Sequence, residues 1–174
     1  WIKYAKKLKF NLIQINNISN VRNNKNIDGI IFSGGNDLSI FDKTKENLFR
    51  DRFEKNIIKI AKLRNIPCLF VCRGMQLLAS IENLKIIKDK LNIHVRKYHK
   101  IKIDNEDIVV NSFHNYIVNN TNKNYTYVGL SKKDNSIEIM KHKKFKFLAL
   151  MFHPERNSPD QKKIDKIFKN FFRI

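Results

Sequence analysis

The sequence predicts an α/β fold in which a largely parallel sheet is covered by helices on both faces. Three observations carry that prediction. Strand-like and helix-like segments alternate through the first half of the chain. The run Pro67-Cys68-Leu69-Phe70-Val71 is continuously apolar, as a parallel strand buried on both faces must be. The run FKFLALMF, residues 145–152, reads as a clear further strand. The 174 residues contain no internal repeat and no low-complexity linker, so a single domain spanning 1–174 is expected.

The elements follow in order. Residues 1–9 look like the end of an amphipathic helix, and FNLIQI, residues 10–15, reads as a short strand. The Asn-rich stretch 16–26 is predicted as loop. IDGIIF, residues 27–32, is a strand leading into the glycine turn Ser33-Gly34-Gly35-Asn36-Asp37. Phe49, Phe53, Ile57, Ile60 and Ala61 recur at helical spacing within 46–64. A buried strand at PCLFV precedes a helix from Arg73 to about Ser80. HKIKI, DIVV, YTYVGL and SIEIM read as further strands. The last helix has Ser158 and Gln161 as a capping box and Pro159 at its first position. Its stripe of Ile164, Ile167, Phe168, Phe171 and Phe172 is core packing.

The formal net charge is +19. Such a surplus can mark a nucleic-acid footprint. Here it is mostly lysine, 27 Lys against 8 Arg, and is scattered through every segment. Lys, Asn and Ile together make 75 of the 174 residues, the bias of A/T-rich codons. Nucleic acid is therefore not the expected partner. No apolar run nears the roughly 18–20 residues that a bilayer demands, so no membrane partner is expected either. Cys68 and Cys72 lie four apart on one stretch, which argues against a disulfide scaffold and for a reducing, cytoplasmic compartment.

Chemistry concentrates at two strand ends, where open α/β sheets bind ligands. Cys72 sits between a buried strand and a helix, in Val-Cys-Arg-Gly-Met-Gln. A sharp turn there lifts a nucleophile out of the sheet, and the helix N-terminus favours thiolate. Gly74 permits the tight turn, and the Arg73 backbone N–H is placed to donate to an oxyanion. Alone, Cys72 is as compatible with a structural buried cysteine. Cys68, inside the strand, reads as structural. The second strand end carries His153-Pro154-Glu155. Residues two apart in an extended segment point to one side, so Glu155 can hold the His153 ring. An ordinary surface His-Glu pair fits as well. The glycine turn offers the Gly35 N–H as a second oxyanion donor, although Gly-Gly with Asn-Asp is also common turn chemistry. Neither Walker spacing nor GxGxxG is present. His94, His99, His114, His142 and His153 form no close-spaced ligand set with either Cys, so no metal is expected.

GIIFSGGNDL, the apolar strand into CRGMQLLA, VNSFHNYIV and MFHPER, in that order, resemble the class I glutamine amidotransferase family. Within it they resemble the stand-alone γ-glutamyl hydrolases. With RDRFEKN added, the pattern looks like the γ-glutamyl-CDP-amidate hydrolase type. The resemblance covers residues 4 to 172. It implies a flavodoxin-like three-layer sandwich that cleaves a γ-glutamyl amide through a thioester, without a cofactor. By motif, Cys72 matches the nucleophile, His153 the base and Glu155 its orienting partner. Gly35 and Arg73 match the backbone oxyanion donors. Gly34, Gln76, Ser112, Phe113 and His114 match stretches that line the glutamyl pocket. The family usually has Gly two before the Cys, where this chain has Phe70. IENLKIIKDKLNI replaces the family's glycine-rich stretch and reshapes one pocket wall. The family's first strand would precede Trp1. The implied substrate is a small γ-glutamyl amide; the alternative is a glutaminase subunit with a separate synthetase as partner.

Overall fold

The computed structural model describes residues 1–174. Five helices and nine strands follow one another. They are α1 (Ile2–Leu8), α2 (Ile18–Asn23), β1 (Ile30–Phe32), α3 (Lys45–Arg64), β2 (Cys68–Val71), α4 (Arg73–Ile81), β3 (Ile86–Lys88), β4 (Lys97–Ile103), β5 (Glu106–Ser112), β6 (Tyr116–Val118), β7 (Tyr125–Ser131), β8 (Ile137–His142), β9 (Phe147–Leu150) and α5 (Gln161–Phe172). The sheet runs β1-β2-β9-β8-β7-β4-β5, with β6 joining β8 and β3 joining β6. No helix is long and apolar enough to cross a membrane.

The sandwich follows from alternation along two buried strands. On β2 and β9, Cys68, Phe70, Phe147 and Ala149 face one core with Ile57, Ile58 and Ala61 of α3 and Met75, Leu77 and Leu78 of α4. Leu69, Val71, Leu148 and Leu150 face the other core with Tyr4 and Leu8 of α1 and Ile164 and Phe168 of α5. Period-2 side chains buried on both faces need helices on both faces. Phe70, at the position where glycine is usual, stacks on Phe32 directly opposite it in register at 4.6 Å.

The parallel share of the sheet is smaller than the sequence predicts. Only β1 with β2 and β2 with β9 pair parallel. β9 with β8, β8 with β7, β7 with β4, and β4 with β5 are all antiparallel. The shift occurs where helices stop: no helix falls between β3 and β9, and hairpin-connected strands pair antiparallel.

Three further expectations are corrected. FNLIQI is not a strand; Leu12 and Ile13 are exposed and no strand pairs with them. The predicted loop 16–26 contains α2, whose N-cap Asn17 accepts from Ser19 N–H at 2.9 Å. Val21 anchors it in the core, and Arg64 donates to the Val21 and Asn24 carbonyls. At the last helix, Gln161 Oε1 accepts from Ser158 N–H at 3.0 Å, as a capping box requires. Ser158 Oγ instead accepts from Asn111, and the helix begins at Gln161 after Asp160 rather than at Pro159.

Candidate active site

β2 and β9 are neighbouring parallel strands, with Val71 in register with Leu150. Their carboxyl ends therefore deliver Cys72 and His153 to the same edge of the sheet. Cys72 follows β2 directly and caps α4 with φ 51 and ψ −104. A non-glycine residue there is strained, and the surroundings hold it: its N–H donates to Leu150 O at 2.7 Å and its carbonyl accepts from Gln76 N–H at 3.0 Å. The positive φ belongs to Cys72 itself, so Gly74 is not the turn residue the sequence predicts. Gly74 serves a close approach instead, since a Cβ there would lie 2.4 Å from Phe32 O.

The expected thiolate is also corrected. Burial pushes the Cys72 thiol up to about 12; the Arg73 backbone N–H pulls the other way, and Glu155 adds to the rise. The short helix end is outweighed by desolvation. Cys68 is a second free thiol, fully buried, donating to Ile66 O at 3.3 Å.

His153 is 4% exposed, and its Nδ1 lies 2.8 Å from Glu155 Oε1. Glu155 accepts, so the ring proton sits on Nδ1 and Nε2 keeps its lone pair. Gly34 lies against the free side of the ring: a Cβ there would come within 2.5 Å of His153 Cε1. Phe113 meets the ring edge-on, centroids 6.0 Å apart, and the Arg156 guanidinium lies 4.5 Å from the Phe113 centroid. Phe113 also lines an open pocket of ≈ 420 Å³ with Val95, Arg96 and Asn115.

Gly35 has φ +145, and Arg50 lies where its Cβ would be. Arg50 Nη2 donates to Ser33 O at 2.9 Å and Gly34 O at 3.1 Å. A trans peptide sets N–H opposite C=O, so the Gly35 N–H points away from Arg50. Arg50 Nε also donates to Glu54 Oε1 at 2.8 Å. Glu54 Oε2 and Asp51 Oδ1 in turn hold the buried Arg73 side chain. One carboxylate thus ties the glycine turn to the residue after Cys72.

The remaining expected residues divide. Gln76 is buried and donates to Tyr116 O at 3.2 Å. Ser112 and His114 turn inward: Ser112 Oγ lies 2.7 Å from His94 O and 2.9 Å from His114 Nε2. Phe113, between them, is 39% exposed. Sequence reasoning missed Asn111, Arg50 and Glu54 as site supports. It also missed that the fold gathers His94 and His99 with Glu138, which is far from them in the chain, into one buried group. Arg50 and Glu54 at i, i+4 on a helix were the available signal for the first network.

The family model Glutamine amidotransferase class-I matches residues 2–174. The chain is similar to the gamma-glutamyl-CDP-amidate hydrolase of Campylobacter jejuni subsp. jejuni serotype O:2, 36% identical over 132 residues, 76% of this chain and 64% of that protein. It is similar to anthranilate synthase component 2 of Helicobacter pylori strain J99, 30% identical over 109 residues, 58% of this chain and 55% of that protein. The aligned region thus spans less than two thirds of either relative. Among solved structures, a GMP synthase subunit protein from Thermoplasma acidophilum shares the fold with a TM-score of 0.77 at 20% identity, covering 98% of this chain and 85% of that one.

Proposed function

Because the chain belongs to the class-I glutamine amidotransferase family, we propose that it hydrolyses a γ-glutamyl amide through a glutamyl thioester on Cys72. One observation carries the reading: the strained Cys72 elbow and a His153 whose Nδ1 is held by Glu155 follow the carboxyl ends of neighbouring parallel strands. Burial keeps the thiol protonated, so a base must remove the proton as sulfur attacks. His153 Nε2 takes it, and the γ-carbonyl becomes an oxyanion received by the N–H groups of Gly35 and Arg73. Collapse breaks the C–N bond, and His153 returns the proton to the departing nitrogen. Water then attacks the thioester and gives its proton to His153, which passes it to the leaving sulfur. Glutamate departs and the thiol is restored. Glu155 steadies the imidazolium at both stages. Gly34, Gln76 and the Ser112-Phe113-His114 segment border the glutamyl group.

The substrate in this reading is a γ-glutamyl amide whose leaving group carries phosphates, such as γ-glutamyl-CDP-amidate. Its support is the 36% identity to the Campylobacter hydrolase and the two arginines, Arg96 and Arg156, flanking Phe113. The reducing cytoplasm suits a free catalytic thiol. A second reading, a glutaminase subunit serving a separate synthetase, is favoured by the similarity to anthranilate synthase component 2. Steady-state assays on a γ-glutamyl nucleotide amidate and on glutamine, at low and high salt, separate the two. Screening over a Debye length of about 10 Å at 0.1 M should lower kcat/KM for the anionic amidate and leave glutamine unchanged. Turnover of glutamine alone, and only with a synthetase added, selects the second reading. Cys72→Ala should abolish both activities while Cys68→Ser keeps them; full turnover by Cys72→Ala overturns both readings.

A further inference from the structure

Glu138, on β8, is fully buried, and neither carboxylate oxygen has a hydrogen-bond partner. Three imidazoles surround its Oε1: His99 Nε2 at 3.4 Å, His94 Nδ1 at 3.6 Å and His114 Nε2 at 3.8 Å. These separations exceed the usual N–H···O range, which ends near about 3.2 Å. They approach the ligand-to-ligand spacing around a tetrahedral cation, roughly 3.3 Å for bonds of about 2.0–2.1 Å. The facing atoms of His94, His99 and Glu138 all lie within 4.8 Å of one another.

The ring tautomers point the same way. His94 Nε2 lies 3.0 Å from Asp134 Oδ2, a carboxylate that accepts. The proton therefore sits on Nε2, and the Nδ1 lone pair faces Glu138. His114 Nδ1 lies 3.0 Å from the Tyr116 carbonyl, which places its proton there, and its Nε2 is taken up by Ser112 Oγ at 2.9 Å, so His114 stands beside the group and not in it. The His94 lone pair and the Glu138 carboxylate thus converge in a buried interior, where uncompensated negative charge is costly. A metal-bound histidine characteristically hands its other ring N–H to a carboxylate or a backbone carbonyl, as His94 does to Asp134.

We propose that His94, His99 and Glu138 form a binding site for one divalent transition-metal cation, Zn²⁺ by its nitrogen and carboxylate ligands. Three protein ligands leave the fourth position of a tetrahedral ion to water. The ligands come from the loop before β4, from β4 and from β8. The cation would hold β4 to β8 through His99 and Glu138, and His94, whose carbonyl accepts from Ser112 Oγ, links it to the Ser112–His114 segment that carries Phe113. The site involves neither thiol and does not depend on the amide chemistry.

The test uses the full chain without a histidine tag, grown with zinc and purified without chelators. Elemental analysis should find one zinc per chain, unchanged in Cys72→Ala. Co²⁺ exchanged into the site should give the visible bands of a tetrahedral ion without a thiolate charge-transfer band. His99→Asn and Glu138→Gln should lose the metal. Asp134→Ala, outside the coordination sphere, should weaken Zn²⁺ affinity about 10- to 100-fold in competition with a chromophoric chelator. Where the ligand variants do not fold, wild-type protein stripped with a chelator and titrated with Zn²⁺ decides. A folded, stripped chain that binds neither Zn²⁺ nor Co²⁺, or metal retained in full by folded His99→Asn, overturns the proposal.

Discussion

Asn111 grips the backbone of His153 at both ends of the residue. Its Oδ1 accepts from His153 N–H at 3.0 Å and its Nδ2 donates to His153 O at 2.8 Å. The same amide nitrogen reaches Arg156 O at 3.1 Å and Ser158 Oγ at 2.8 Å. Asn111 ends no catalytic motif, yet it determines where the His153-Pro154-Glu155 segment runs after β9. Asn111→Ala should therefore lower kcat about 10²-fold with KM little changed, because a small misplacement of a base is that costly. Steady-state kinetics on the folded variant check it; an unchanged kcat would show that His153 is positioned by other contacts.

Gly34→Ala should be as damaging from the opposite side. The added Cβ would stand 2.5 Å from His153 Cε1, and that ring is already fixed through Nδ1 by Glu155. The ring must move, so kcat/KM should fall by about 10²-fold. The melting temperature should shift little, because the turn is half-buried. Loss of fold with no separable loss of turnover would assign Gly34 to structure alone.

Arg73→Met should act on stability first. It removes the guanidinium from the buried Asp51 and Glu54 carboxylates but keeps the backbone N–H. Leaving such charges without their partner should cost about 3–5 kcal/mol in urea unfolding. Adding Asp51→Asn should recover part of that loss. If Arg73→Met unfolds like wild type, the triad does not hold the elbow.

The raised Cys72 thiol has a definite pH signature. Its folded value lies near 12 against an ordinary 9.0. A thiol whose folded pKa is raised binds its proton more tightly in the native state. Its contribution to stability is intact below pH 9 and is lost as pH climbs from 9 towards 12. Stability above pH 9 should therefore fall less steeply in Cys72→Ala. Alkylation of wild-type Cys72 by iodoacetamide should keep accelerating through pH 9 without a plateau. A plateau near neutrality would mean a stable thiolate, contrary to the burial that dominates here.

Much of this architecture was legible because burial leaves a pattern. PCLFV and FLAL are apolar at every position, and both lie between helical layers. The loaded ends, Cys72 and His153 with Glu155, were readable because strand ends are where side chains leave the sheet. Phe10–Ile15 misled because alternation marks a strand only where a partner supplies backbone hydrogen bonds, and none pairs with it. α2 was hidden because six residues carry too little periodicity; Asn17 and buried Val21 define it only in three dimensions. In the Arg50–Glu54–Arg73 chain only the i, i+4 pair Arg50 and Glu54 is local, and the His94–His99–Glu138 group needs Glu138 from a strand some forty positions on, so local spacing announces neither as a whole.

Trapping the covalent intermediate tests the central claim most directly. The protein is mixed with a γ-glutamyl amide, quenched in acid within the first turnovers, and its intact mass and peptides are measured. Cys72 should carry one glutamyl group as a thioester that hydroxylamine releases, while Cys68 stays unmodified. His153→Ala should greatly reduce the adduct. Turnover without any adduct on Cys72, or an adduct confined to Cys68, would contradict the assignment of Cys72 as the nucleophile.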